Sequence, residues 1–154
     1  ENIKDRPLIN ELIIEFYINY HSQMNFKKLF QKHENYFKNI FDEETINAMK
    51  NLEDNPNNPI SMNCIGKMYQ DGKYVQINAD KAIHYYEEAA NQNYAASQCN
   101  LGIIYYYGEI VKSDINKALH YLQLSAKQNY SNAEYLLGVI YYEGDNEIEI
   151  LKNH

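Results

Sequence analysis

No stretch of the chain approaches the roughly 18 consecutive apolar residues that a membrane-spanning helix needs; apolar runs such as Leu12-Ile13-Ile14 and Ile103-Ile104-Tyr105-Tyr106-Tyr107 read as helix faces. No membrane span is expected. Cysteine is scarce: Cys64 and Cys99 are too few for a disulfide-stapled small domain. Reduced, core-packed thiols are the plainer reading, with a single bridge left open. Basic residues are outnumbered, 14 Lys and Arg against 21 Asp and Glu, and the net charge is −7. A broad cationic surface for phosphate backbones is therefore not expected, which argues against nucleic acid as a partner. Tryptophan is absent, so the 14% aromatic content rests on 16 Tyr and 5 Phe. The opening Glu1-Asn2-Ile3-Lys4-Asp5-Arg6 has no apolar core of a signal peptide, and a cytoplasmic location is the expectation.

Motifs of catalysis and cofactor binding are missing as well. There is no Gly-rich loop after a strand, no Walker-type Gly-Lys-Ser/Thr and no Gly-x-Ser-x-Gly. His33 precedes Glu34 without a second His at the zinc-protease spacing, and the Cys and His residues form no paired ligand clusters. His84 and His120 read as solvated side chains, and Glu87-Glu88 and Glu147 to Glu149 as solvated charge. No catalytic residue, metal or cofactor is expected.

What the chain has is a repeat. Across its 154 residues, Gly66, Gly102 and Gly138 stand 36 apart, as do Gly72, Gly108 and Gly144. Tyr69, Tyr105 and Tyr141 keep the same step, with Ile65, Leu101 and Leu137; Lys81-Ala82 matches Lys117-Ala118, His84-Tyr85 matches His120-Tyr121, and Gln92-Asn93-Tyr94 matches Gln128-Asn129-Tyr130. A fixed period of this length marks stacked structural units. Each unit reads as two helices. Ser97, Leu101 and Tyr105 fall on one helical face, Gly108 can end that helix in a left-handed turn, and Asp114, like Asn78, can cap the next. In that second helix Ala118, Tyr121, Leu122, Ser125 and Ala126 recur at three- and four-residue steps, so the pair packs antiparallel. Gly66, Gly102 and Gly138 lie inside helices, where glycine costs about 1 kcal/mol relative to alanine. Close approach of the second helix explains them, with Ala82 or Ala118 expected as the small surface opposite.

On these residues, from about Pro59 to Gly144, the chain resembles the Sel1-like repeat family, relatives of the tetratricopeptide repeat. The resemblance implies an all-α fold, a right-handed α-solenoid of antiparallel helix pairs used to bind proteins, without catalytic machinery. Repeats are expected over 59–94, 95–130 and 131–154, the last incomplete. After Gly144, Glu147 falls where Val75 and Val111 stood, and Ile150 replaces the Asn78 or Asp114 cap. An exposed apolar side at that point suggests a fragment of a longer chain.

Residues 1–52 do not follow the period, yet are helical in pattern: Leu8-Ile9, Leu12-Ile13, Phe16-Tyr17 and Tyr20 form one stripe after Pro7, and Phe26, Leu29-Phe30, His33, Phe37 and Ile40-Phe41 a second. Asp42 to Glu44 can open a third helix carrying Ile46, Met49 and Leu52. The stretch 53–58 reads as a linker before the repeats. The segment ahead of it is expected to cap the solenoid or to finish an upstream domain.

In this architecture the first helices line the concave side. Positions around each packing glycine then form rows: Asn63, Lys67 and Gln70 with Asp71; Ile103, Tyr106 and Tyr107 after Cys99; Tyr135, Val139 and Tyr142 before Glu143. The last two rows are aromatic, and tyrosine suits a partner anchor because its rigid ring carries a polar tip. Packing between repeats is the competing reading. The chain is accordingly expected to be a non-enzymatic scaffold, adaptor or regulatory module that binds a protein or peptide on this face. The alternative is an accessory, substrate-selecting arm of a larger signalling enzyme such as a protein kinase, whose catalytic domain lies outside these residues.

Overall fold

The computed structural model describes residues 26–152. Eight helices are found among the described residues, and no strand. They are α1 (Phe26–Lys32), α2 (Glu34–Ile40), α3 (Glu43–Asp54), α4 (Pro59–Asp71), α5 (Ala79–Asn91), α6 (Ala95–Tyr107), α7 (Ile115–Ala126) and α8 (Ser131–Lys152). The chain divides into two compact units, Glu1–Gln92 and Asn93–His154. The expected stripe from Leu8 to Tyr20 lies outside the described residues.

In the first unit the second apolar stripe is interrupted at His33, which leaves helical geometry between α1 and α2. The stripe still reaches the core through Phe30, Phe37, Ile40 and Phe41. Helix α3 begins where the acidic run places it, because the Asp42 carboxylate accepts from Thr45 N–H at 2.9 Å. Ile46, Met49 and Leu52 are buried. Asn55 to Asn58 then join α3 to α4, and Asn58 caps α4 by accepting from Ser61 N–H at 3.0 Å, with Pro59 in the first turn.

Tyr74, in the loop after α4, holds the left-handed conformation at φ 67°. A bulky side chain rarely adopts it, at a cost of order 1–3 kcal/mol. Contacts from the amino-terminal helices offset that cost. Phe41 meets the Tyr74 ring edge-on at 5.1 Å, Asp42 N–H donates to the Tyr74 hydroxyl at 3.1 Å, and Lys73 donates to the Asp42 carboxylate. Burial would raise the Asp42 carboxyl, but the bonds from Lys73 and Thr45 outweigh it and hold the group below its usual 3.8. Asp42→Ala removes cap and ion pair together, with an expected loss of about 1 kcal/mol. Because the folded value is depressed, this contribution is present above the usual carboxylate range and disappears as pH falls through the folded value. Denaturant melts of the two proteins at pH 7 and in acid check it: the gap seen at pH 7 narrows as the pH is lowered.

Both complete repeats are built on the same backbone devices. Gly72 and Gly108 end α4 and α6 at φ 68°. Asn78 and Asp114 cap α5 and α7 by accepting from Lys81 N–H at 2.9 Å and Lys117 N–H at 3.0 Å. Their own N–H groups donate back to the carbonyls of Tyr69 and Tyr105 at 3.0 and 2.8 Å, which pins each loop. Asn93 and Asn129, at φ 62° and 60°, turn the chain out of the second helices, a conformation asparagine tolerates better than most residues.

The helices meet at the packing glycines, although not against the expected alanines alone. A Cβ on Gly66 would lie 2.8 Å from the Tyr86 ring, and one on Gly102 would lie 2.5 Å from Leu122 Cγ and 3.3 Å from the Ala118 carbonyl. The closest surface is thus a large side chain one turn beyond Ala82 and Ala118, and those alanines are themselves fully buried. In the second unit α6, α7 and α8 share a core of Cys99, Leu122, Ala133, Leu136 and Ile140.

The third repeat departs from this scheme. Helix α8 runs through Gly144 to Lys152 without a left-handed turn. The sequence gives the reason: Val75 is buried in the first loop, while a glutamate holds that register at 147, and Ile150 brings no oxygen to the capping position.

Candidate functional site

The period places the same aromatic assembly on both complete repeats. Tyr69 lies parallel to Tyr85, centroids 6.0 Å apart and planes 4° from coplanar; Tyr105 and Tyr121 reproduce it at 6.0 Å and 5°. Lys81 Nζ sits 4.8 Å from the centre of the Tyr69 ring and Lys117 Nζ 4.8 Å from that of Tyr105. Such cation–π contacts contribute about 0.5–1 kcal/mol at exposed sites. His84 and His120 meet Tyr85 and Tyr121 at 5.2 and 5.3 Å, tilted by 63° and 65°. The sequence showed the recurrence of these residues but not that lysine, both tyrosines and histidine form one stack.

Within the first unit, Lys67 is exposed and Asn63 and Gln70 are half-buried. Gln70 accepts from the Tyr86 hydroxyl at 2.8 Å, which fixes the ring that covers Gly66. Lys67 and Asp71 border a cleft with Glu44, Cys64 and Lys73, where both signs of charge meet.

Within the second unit the aromatic rows divide. Ile103, Tyr106 and Val139 pack against the core of α6, α7 and α8, whereas Tyr107, Tyr135 and Tyr142 are 59%, 75% and 71% exposed. Tyr106 also reaches outward: its ring meets Tyr107 at 4.9 Å, and its hydroxyl donates to the Glu143 carboxylate. That bond to a carboxylate pushes the Tyr106 phenol up to about 12. Below them Gln98, buried, accepts from Gln128 at 2.7 Å and donates to Asn93 at 3.3 Å. Ser125, fully buried, donates to the Ala95 carbonyl at 2.8 Å. These polar groups join the two ends of repeat two, and no motif announced them.

Cys64 and Cys99 are free and buried; burial pushes their thiols up to about 12 and about 11, so neither is a thiolate near neutrality. Among the described residues no three His, Cys, Asp or Glu side chains converge as metal ligands would, and no helix is long and apolar enough to cross a membrane.

The Sel1 repeat model matches residues 59–94, 95–130 and 131–154, more than half of the chain. No curated protein sequence matches significantly. Among solved structures, the chain is similar to a Sel1 repeat protein from Oxalobacter formigenes, with 31% identity and a TM-score of 0.59, over 73% of this chain and 45% of that one. It also shares the fold of a protective antigen of uropathogenic Escherichia coli strains that displays an SLR fold, at 22% identity and a TM-score of 0.61, over 84% of this chain and 28% of that one. The chain spans less than half the length of each. Its fold is the all-α, tetratricopeptide-like helical-repeat solenoid. Sel1 repeats act generally in protein–protein interaction. Three matched repeats, two of them with coincident caps, glycine contacts and aromatic stacks, establish that the chain belongs to the Sel1 repeat family.

Proposed function

We propose that the chain is a non-enzymatic interaction module that holds a protein or peptide on the first-helix side of its repeats. The observation that carries this reading is the exposure of three large aromatic side chains on two neighbouring first helices, Tyr107 on α6 with Tyr135 and Tyr142 on α8. Tyr135 and Tyr142 are seven residues apart, two turns along one helical face. Tyr106 ties that face to α6 by its bond to Glu143. Tyrosine has only two side-chain torsions to fix and a polar tip on an apolar ring, which favours exposed tyrosines as contact centres. In the first unit, taken by itself, Asn63, Lys67 and Gln70 hold polar side chains at matching positions of its first helix. The net charge of −7 sets the preference for a partner that is not a nucleic acid.

The test separates anchor from packing. Tyr135→Ala with Tyr142→Ala is preferable to Tyr106→Ala, because Tyr106 also packs on the core. The double variant is expected to melt within about 0.5 kcal/mol of the parent, as exposed substitutions do. Its affinity for partners captured by the parent falls by about 2 kcal/mol, close to thirtyfold. Unchanged capture would refute the tyrosine face, and a large loss of stability would make these rings structural.

A further inference from the structure

On the first-helix side of the second unit, one residue holds an open aromatic ring and a carboxylate together. Tyr107 closes α6 and is 59% exposed, and the Tyr106 ring meets it at 4.9 Å with planes 71° apart. The Tyr106 hydroxyl donates to Oε2 of Glu143 on α8, which leaves Oε1 without a hydrogen bond among the described residues. Tyr106 itself is half-buried against the core. The openness of the ring is not owed to the end of the sequence. Helix α8 follows α6 and packs on Tyr106, yet Tyr107 stays open, so this position of the repeat faces away from the neighbouring helix. Glu143 holds the same position one repeat later, and Asp71, also exposed, holds it one repeat earlier.

An exposed aromatic face beside an oriented carboxylate suits a cation. The face of the ring attracts a guanidinium or ammonium, and the carboxylate accepts a charge-assisted hydrogen bond from it. The chain already uses the first of these interactions twice, with Lys81 and Lys117 each 4.8 Å from the centre of a tyrosine ring. Among the described residues no cation–π contact or ion pair engages Tyr107 or Glu143. The surroundings carry one sign of charge. Glu109 is exposed just past the Gly108 turn, and from Gln128 to Leu151 the sequence has five acidic residues and no Lys, Arg or His. Arginine answers this pair better than lysine does. Its planar fork stacks on a ring while its N–H groups reach a carboxylate, and it gives up water more readily than an ammonium.

We infer that Tyr107 and Glu143 form a subsite for an arginine side chain of the bound protein or peptide. The guanidinium lies against the Tyr107 ring and donates to Glu143, and Tyr106 is a positioning residue that aims the carboxylate. The inference rests on the first-helix side being the binding face and gives the partner a chemistry: a segment that presents an accessible arginine. It needs neither Tyr135 nor Tyr142.

The test is a nuclear magnetic resonance titration of the isotope-labelled full chain with N-acetyl-arginine amide and with its citrulline analogue, which keeps the shape and loses the charge. Saturable shifts are expected at the backbone amides of Tyr106, Tyr107 and Glu143, with citrulline binding about tenfold weaker or less. Glu143→Gln and Tyr107→Leu each weaken arginine binding about threefold or more. Tyr106→Phe keeps the ring and removes the donor, so it weakens arginine binding about twofold while the thermal melt and the signals of Leu122 and Ile140 stay in place. Tyr135→Ala with Tyr142→Ala leaves arginine binding unchanged. Equal binding of citrulline, no shift at Tyr107 and Glu143, or undiminished binding by Glu143→Gln would overturn the subsite. The interaction module would survive that result if the Tyr135 and Tyr142 double variant still lost its captured partners. Arginine binding as expected, with captured partners that keep full affinity for Glu143→Gln, would show that the partner does not use the subsite and would overturn the inference as well.

Discussion

Gly102→Leu is expected to destabilise the chain by about 3 kcal/mol, whereas Gly138→Ala at the same repeat position is expected to stabilise it by up to about 1 kcal/mol. The opposite signs follow from what each new Cβ would meet. At Gly102 the first carbon already lies 2.5 Å from Leu122 Cγ and 2.7 Å from Cδ2, and Leu122 is fully buried with no room to retreat. Moving α7 outward would pull the Lys117 and Tyr121 contacts off Tyr105 and strain the Ser125 bond to Ala95. Overpacking of this kind outweighs the gain in helix propensity from losing a glycine. At Gly138 no such neighbour exists, so only the propensity gain remains. Urea denaturation followed by far-ultraviolet circular dichroism measures both. Equal effects at the two positions would show that glycine serves the local helix at each, and the packing account would fail.

The parts of the fold that sequence made legible are those in which one residue type answers one backbone requirement. A left-handed helix end calls for Gly72 and Gly108, an orphaned first turn calls for Asn78 and Asp114, and a close crossing calls for Gly66 and Gly102. Because each requirement returns with every unit, the period announced them. Asn93 and Asn129 belonged to this class too: their recurrence was visible, although their left-handed conformation was not inferred. Features that occur once were hidden. The clamp of Phe41 and Asp42 on a strained Tyr74 spans more than thirty residues and has no copy in the second repeat, where Ile110 takes the position. The break at His33 depends on how α1 and α2 pack, not on an apolar rhythm that continues across it.

The candidate surface follows the same division. Counting from the glycines identified which residues share a helix side, but burial on that side depends on the neighbouring helix. Tyr106 and Tyr142 occupy equivalent positions in sequence. One packs on the core and bonds Glu143, and the other is 71% exposed. Tyr105 and Tyr141 diverge as strongly, because α7 covers the first and no described helix covers the second. A local period cannot encode a difference that arises from the presence or absence of a partner helix.

Leu122→Ala is the second large effect, with an expected loss of about 2–5 kcal/mol. Leu122 is fully buried, lies over Gly102, and joins Cys99, Ala133, Leu136 and Ile140 in the core of the second unit. Its removal forfeits the transfer energy of the lost methyl groups and leaves a cavity that three helices can close only in part. The geometry makes a sharper demand of the double variant. If the two positions occupy one shared volume, the Leu introduced at 102 takes the space vacated at 122, and the combined loss falls short of the sum of the single losses by at least about 1 kcal/mol. A coupling of that size in a double-mutant cycle would show that glycine on α6 and leucine on α7 are halves of one packing unit. Simple additivity would mean that each acts through its own helix, and the contact at 2.5 Å would then not govern the stability of the repeat.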